Sequence, residues 1–255
     1  MDRPDLLPQE FEEKKLYALH PLTGKNPVNK TPIIGFDVET EHVPDDFNRV
    51  SGRPVKCWRQ DFVLGAVVWE DHEKVFRDRD TMAEFLLTRQ FRDSLILATN
   101  LEFDMGILYP NIHERFKIIY RHCLKGAIHE EKTERQNTGH GYHKRRQCIF
   151  GDTRNYLPAS VDALGKIVGV PKMDHPSTMR FHNEALGILA HRPQTEEEWN
   201  DLASYCVNDA KITQLFGKAF QTFCTEQKMK MKLTLAGCGI DFWRRNYQQD
   251  RKSVV

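Results

Sequence analysis

The chain has 255 residues, 40% of them hydrophobic and 29% charged, with a formal net charge of only +1. Those values exclude a disordered polar chain and a basic coat for long duplex nucleic acid, and they leave one soluble globular domain with a short appendage as the expectation. No stretch is apolar and long enough to span a bilayer, and the opening MDRPDLLPQEFEEKK has no signal-peptide core, so neither a membrane partner nor secretion is expected.

Residues 1–30 are polar and hold Pro4, Pro8, Pro21 and Pro27, which reads as an arm ahead of the domain. A strand is predicted over Thr31 to Phe36, then a loop over 41–61 marked by Pro44, Gly52 and Pro54, then strands over Phe62 to Trp69 and Lys74 to Phe76. Their closeness predicts an antiparallel meander. Met82 to Phe91 has helical spacing, Leu95 to Ala98 reads as a short buried strand, and Asn100 to Tyr109 reads as a helix stopped by Pro110. Residues 116–151 read as a β-ribbon around the polar loop EEKTERQNTGHGYHK. Ser160 is the expected N-cap and Gly169 the expected stop of the helix SVDALGKIV. Thr195 and Glu198 make a capping box before a long helix running toward Gln227, and 228–255 is a basic tail. Strands followed by helix–strand–helix alternation predict an α/β, RNase H-like mixed sheet flanked by helices, with an inserted β-hairpin.

Three acidic clusters stand out against this frame. Asp37 and Glu39 lie in IIGFDVET, Asp104 ends ATNLEFD, and Tyr205 and Asp209 lie in YCVNDA. On a strand, residues 37 and 39 share a face; on a helix, so do 205 and 209. Asp104 falls in the first turns of its helix, where the dipole favours an anion. Carboxylates gathered in one place repel one another unless cations sit among them, and hard oxygen donors suit Mg²⁺ or Mn²⁺. Each cluster alone also fits a solvated strand end or ordinary helix charge; their order and flanking apolar runs point to one constellation.

Together the clusters resemble the DEDD 3′–5′ exonucleases of the tyrosine-bearing subclass, over roughly residues 31–226. Finer matches, FDVET, YCVNDAKIT and GDTRNYLPASVDALGKIVGVPK, are similar to the exonuclease domain of family B DNA polymerases, the protein-primed group in particular. The resemblance implies that Asp37, Glu39, Asp104 and Asp209 ligate two Mg²⁺ or Mn²⁺ ions, with Tyr205 orienting the attacking water. It implies that Thr40, Asn100, Phe103 and Thr153 hold the 3′ end of a DNA single strand and that Lys172, in a KxxH, supports catalysis. Thr153 and Leu157 fit the family's pattern in that segment, while Arg154 stands where the family uses Leu. The expected function is removal of nucleotides from single-stranded or mismatched 3′ ends, placing the protein in the cytoplasm or wherever DNA is replicated. Residues 31–227 would form the exonuclease domain. The tail motif LTLAGCGIDFWRR resembles the link into a polymerase palm, which suggests a standalone nuclease, a split-gene product or an isolated domain, with a polymerase subunit as a further partner. RNase D-like trimming of RNA and a non-catalytic strand- or polymerase-binding module are the alternatives.

Other chemistries have less support. Walker A, GxGxxG and GxSxG motifs are absent. The six cysteines are scattered without a CxxC, which predicts reduced thiols. His122, Cys123, His129, His140, His143 and Cys148 in the ribbon fit no usual structural zinc spacing, and His143 to Arg146 is a basic run able to touch phosphates.

Overall fold

A computed structural model describes residues 28–45, 49–50, 53–54, 57–131, 146–183, 186–189 and 191–247. In chain order the elements are β1 (Ile33–Asp45), β2 (Arg49–Val50), β3 (Arg53–Pro54), β4 (Cys57–Trp69), β5 (His72–Phe76), α1 (Arg79–Leu86), β6 (Leu95–Ala98), α2 (Leu101–Leu108) and the single-turn α3 (Ile112–Arg115). They continue with β7 (Lys117–Arg121), β8 (Cys123–Glu131), β9 (Arg146–Asp152), α4 (Val161–Val168), β10 (Met179–Asn183), β11 (Leu186–Leu189), α5 (Glu196–Glu226) and α6 (Leu235–Asn246).

The main sheet is mixed. β5, β4 and β1 form the predicted antiparallel meander, and β6 and β9 then follow β1 in parallel. This central order, a three-strand meander extended by two parallel strands, with helices on both faces, is RNase H-like. β8 and β7 continue the sheet antiparallel beyond β9, so the expected ribbon is present, and its return strand is an integral sheet strand. A separate hairpin, β10–β11, joins the far end of β1 through β11, with Glu41 opposite Leu189.

Strand alternation sorts the core into two layers. Ile34, Phe36 and Val38 of β1, Ile96 of β6 and Phe150 of β9 pack with Met82 and Leu86 of α1 and Leu101 and Met105 of α2. On the other face, Leu64, Ala66 and Val68 of β4 meet Leu202, Tyr205, Cys206 and Ala210 of α5, while Ile33, Leu95 and Leu97 meet Leu164 of α4 and Ile212 and Phe216 of α5. Asp37 and Glu39 have the parity of Ile33, so their side chains point toward α5.

α5 can come that close because two glycines leave room. A Cβ on Gly35 would run into the carbonyl oxygen of Ala210 and lie 2.8 Å from the Gln214 amide nitrogen; one on Gly217 would lie 2.5 Å from Leu97 Cδ1. The helix is started by the capping box, with Thr195 Oγ1 accepting from the Glu198 amide and Glu198 accepting from the Thr195 amide. α4 has the anticipated Ser160 N-cap and a left-handed Gly169 at its end, φ 74°.

Several boundaries differ from the sequence expectation. Where the sequence predicts a loop over 41–61, β1 runs on to Asp45 and β4 starts at Cys57, with their backbones paired from Thr40–Phe62 to Asp45–Cys57. Backbone pairing holds this ribbon, and it needs no apolar period to announce it. The helix expected over Met82 to Phe91 starts earlier, at Arg79, because Asp78 accepts from the Thr81 amide at 2.7 Å; it ends at Leu86, and Arg89–Phe91 is a separate 3₁₀ turn. β10, β11 and α6 were not anticipated. α6 seals the end of α5: Cys238 packs on Cys224 and Met229, and buried Asp241 pairs with Arg245 at 2.7 Å while accepting from the Lys230 amide. Residues 1–27 of the expected arm and 132–145 of the ribbon loop, with His140, His143, Lys144 and Arg145, lie outside the described residues.

Candidate active site

Asp37 and Glu39 come from β1 just before an irregularity between Glu39 and Thr40, where the pairing to β4 slips. Such a bulge re-aims side chains at the end of a ladder. From above, α5 lowers Tyr205, Cys206 and Asp209 onto them. The carboxyls of Asp37 and Glu39 and the Cys206 sulfur lie within 4.8 Å of one another. Asp104 arrives from the first turn of α2, whose start follows the carboxyl end of β6.

Asp37 and Glu39 are half-buried at the mouth of this cluster, and the other two carboxyls lie deeper. Asp104 and Asp209 are 2% and 4% exposed, and among the described residues Asp104 Oδ2 and Asp209 Oδ1 are buried without a hydrogen-bond partner. Burial, then the charge of Asp209, lifts Asp37 to about 7. Burial, then the charge of Asp37, holds both Glu39 and Asp104 well above the ordinary carboxylate range. Asp209 is also raised, because burial outweighs the ammonium of Lys172 beside it. Charged oxygens under this much mutual repulsion form a set of hard donors that a divalent cation would satisfy.

Lys172, in the segment after α4, donates to Asp209 Oδ2 at 2.6 Å, and its Nζ lies 4.8 Å from the centre of the Tyr205 ring. Burial works against its charge, but Asp209 more than compensates, so the ammonium is held. The His175 ring also lies against Tyr205, ring centres 5.4 Å apart. Burial, then the charge of Asp209, raises the Tyr205 phenol, so it keeps its proton at neutral pH.

Asn100 stands in the left-handed region, φ 77°, at the head of α2 and contributes no side-chain cap. Asp152, at the end of β9, caps the helix from outside, accepting from the Leu101 amide at 3.0 Å and from the Asn100 amide at 3.5 Å. Arg154 donates to Asn100 Oδ1 at 2.9 Å. That fixes the amide with its Nδ2 free to donate elsewhere. Phe103 is half-buried one turn along and Thr40, next after Glu39 on β1, is buried, while Thr153 is fully buried, with its hydroxyl given to Thr99 Oγ1 at 3.0 Å. The structure therefore gathers Asp37, Glu39, Asp104, Tyr205, Asp209 and Lys172; Thr40 follows Glu39 on β1, Asn100 and Phe103 share the head of α2 with Asp104, and Thr153 lies inside the core.

Sequence reasoning missed Cys206 and Asp152. Cys206 had a signal: it is three residues before Asp209 on one helix face. Asp152 had none, because it caps a helix 51 residues earlier in the chain. Replacing Asp152 by Ala removes that cap and leaves buried amides unpaired; we expect a loss of about 1–2 kcal/mol in urea unfolding. An unchanged midpoint would show that the head of α2 does not depend on this carboxylate. In the ribbon, Cys148 donates to the Phe91 carbonyl at 3.3 Å and the His129 ring lies 5.7 Å from that of Phe116.

No helix among the described residues is long and apolar enough to cross a membrane. No family model matches the chain, and no curated protein matches it. Solved structures do. An orthorhombic crystal form of phi29 DNA polymerase is similar at TM-score 0.52 and 15% identity, over 80% of this chain and 32% of that one. The same polymerase complexed with single-stranded DNA gives TM-score 0.53 and 11% identity, over 82% and 34%. Its post-translocation complex with primer-template DNA gives 0.54 and 13%, again over 82% and 34%. The chain thus spans about a third of the length of this polymerase, and what it shares with that third is the fold.

Proposed function

We propose that the chain is a metal-dependent 3′–5′ exonuclease of the DEDD type, acting on single-stranded or mismatched DNA 3′ ends, with residues 31–227 as its catalytic domain. The observation that carries this reading is the set of four crowded carboxyls, two of them with buried oxygens that no described residue satisfies. Asp37, Glu39, Asp104 and Asp209 would hold Mg²⁺ or Mn²⁺. When bound, such ions polarise the scissile phosphate and lower the pKa of water. The remaining work belongs to the chain. Tyr205, protonated, orients a water by hydrogen bonding. Lys172 fixes Asp209 and keeps a positive charge near the developing negative charge. Asn100, held by Arg154, offers its amide to the strand, and Phe103 offers a ring to an unstacked terminal base.

The deciding experiment uses 5′-labelled single strands with Mn²⁺. A descending ladder that EDTA abolishes and a blocked 3′ end prevents is expected. Cleavage that persists in EDTA, or internal cutting of circular strands, would remove the proposal. Equal trimming of RNA would shift the substrate to both nucleic acids, and binding without turnover would favour a non-catalytic module. Phe103→Ala should weaken single-strand binding by about 1–3 kcal/mol, the value of one base–aromatic stack, in a fluorescence-anisotropy titration. An unchanged affinity would take Phe103 out of the strand path.

The raised carboxyls also fix a pH dependence. In the metal-free folded protein Asp37 keeps its proton from its ordinary 3.8 up to about 7, while in the unfolded chain it has already lost it. The folded state binds more protons across that window, so stability must fall as pH rises through it. The raised Glu39, Asp104 and Asp209 add in the same direction. Divalent cations bind the ionised carboxylates, so the gain in Tm on adding Mn²⁺ should widen from pH 5 to pH 7.5. A metal-free protein equally stable at both pH values would contradict this charge balance.

A further inference from the structure

We propose that Cys206 is a metal ligand of this site, giving it a binding mode for thiophilic divalent cations of the Zn²⁺ and Cd²⁺ class that shares Asp37 and Glu39 with the activating ion. The inference rests on the reading of those two acids as metal ligands and adds a soft donor to them. The Cys206 sulfur lies within 4.8 Å of both carboxyls, a span that one ion, with bonds of about 2.0–2.3 Å, closes by small side-chain rotations. The thiol is fully buried and has no purely apolar niche: it points at Asp37, donating to that residue's carbonyl at 3.5 Å. A second observation is independent of the cysteine. Asp209, one turn further along the same face of α5, has a buried oxygen with no partner among the described residues, and so does Asp104. The cluster of Asp37, Glu39 and Cys206 thus lies on the same helix and strand faces as carboxyl oxygens that no described residue satisfies.

Ligand chemistry separates the two modes. Carboxylates alone suit Mg²⁺ and Mn²⁺, and Mg²⁺ leaves a thiol protonated; adding sulfur favours Zn²⁺, Co²⁺ and Cd²⁺. On binding a thiophilic ion, the Cys206 S–H bond breaks, a sulfur–metal bond forms and the proton goes to solvent, with no change of oxidation state. Shared carboxylates make the modes competitive, so a thiophilic ion would displace the activating one.

The test is a titration of the full chain with Cd²⁺, followed by the ultraviolet thiolate-to-cadmium charge-transfer band, alongside calorimetry with Mn²⁺. The expected result is a band in the wild type that excess Mn²⁺ suppresses, that Cys206→Ser and Cys206→Ala both lose, and that Asp37→Asn weakens at least about tenfold in affinity. The other thiols are unchanged in these variants, so only the difference between wild type and variant is read. An identical titration in the Cys206 variants, or a band indifferent to Mn²⁺, overturns the proposal. If Mn²⁺ still binds in that case, the reading of the acids survives; failure of Mn²⁺ to bind the wild type would sink both.

Discussion

Asp37→Asn should reduce 3′-end cleavage by more than about 100-fold while making the metal-free protein more stable at pH 7.5. The two halves of this result have one cause. Asp37 stands among Glu39, Asp104 and Asp209, and its charge raises Glu39 and Asp104. Asparagine keeps the shape and removes that charge, which relieves the repulsion. The same change removes an oxygen donor that the proposed chemistry requires; loss of groups one shell further out already costs 10–100-fold in metal sites, so loss of a direct ligand should cost more. Tyr205→Phe separates metal binding from water positioning: calorimetric Mn²⁺ affinity should hold while turnover slows. Activity and Tm should be measured on the same preparations, the latter with EDTA. Wild-type activity in Asp37→Asn would make the carboxylate cluster accidental, and lower stability would mean that Asp37 is anchored by contacts more valuable than its repulsions cost.

Much of this site could be read from the chain because its spacing rules are local. Asp37 and Glu39 share a face by strand parity, Tyr205 and Asp209 by helix parity, and the capping box at Thr195 and Glu198 states where that helix begins. The same locality explains Ser160 and Gly169 around α4. What escaped reading is held by distant partners or by backbone alone. The β1–β4 ribbon past Thr40 is a ladder of main-chain pairs. Asp152 serves amides on another element, and Thr153, expected to hold the strand, gives its hydroxyl to Thr99 inside the core. α6 lies against Cys224 and Met229, whose burial depends on the helix itself. Gly35 belongs to this group too. Nothing in the sequence singles it out, and only the packed structure shows a helix backbone pressed against it.

That contact makes Gly35→Ala the most damaging small substitution we expect. The added methyl would overlap the Ala210 carbonyl and sit 2.8 Å from the Gln214 nitrogen and 2.9 Å from its Cβ. Two of the three obstacles are backbone, so no rotamer change relieves them, and α5 must move away from β1. Overpacking of this kind costs about 1–3 kcal/mol, and more when main chain must shift. The displacement falls where α5 carries Tyr205, Cys206 and Asp209, so activity should fall further than stability does; a misplacement near 1 Å can cost about 10²-fold in rate. Gly106→Ala is the matched control. Gly106 is an exposed residue within α2, and a Cβ there meets nothing within 4 Å. Alanine should stabilise that helix by about 0.5–1 kcal/mol, through the usual helix preference. The pair is to be measured by urea unfolding and by the 3′-end cleavage rate. Equal behaviour of the two variants would mean that α5 is not seated on Gly35, and with it would go the account of how the helix-borne tyrosine and aspartate reach the strand-borne acids.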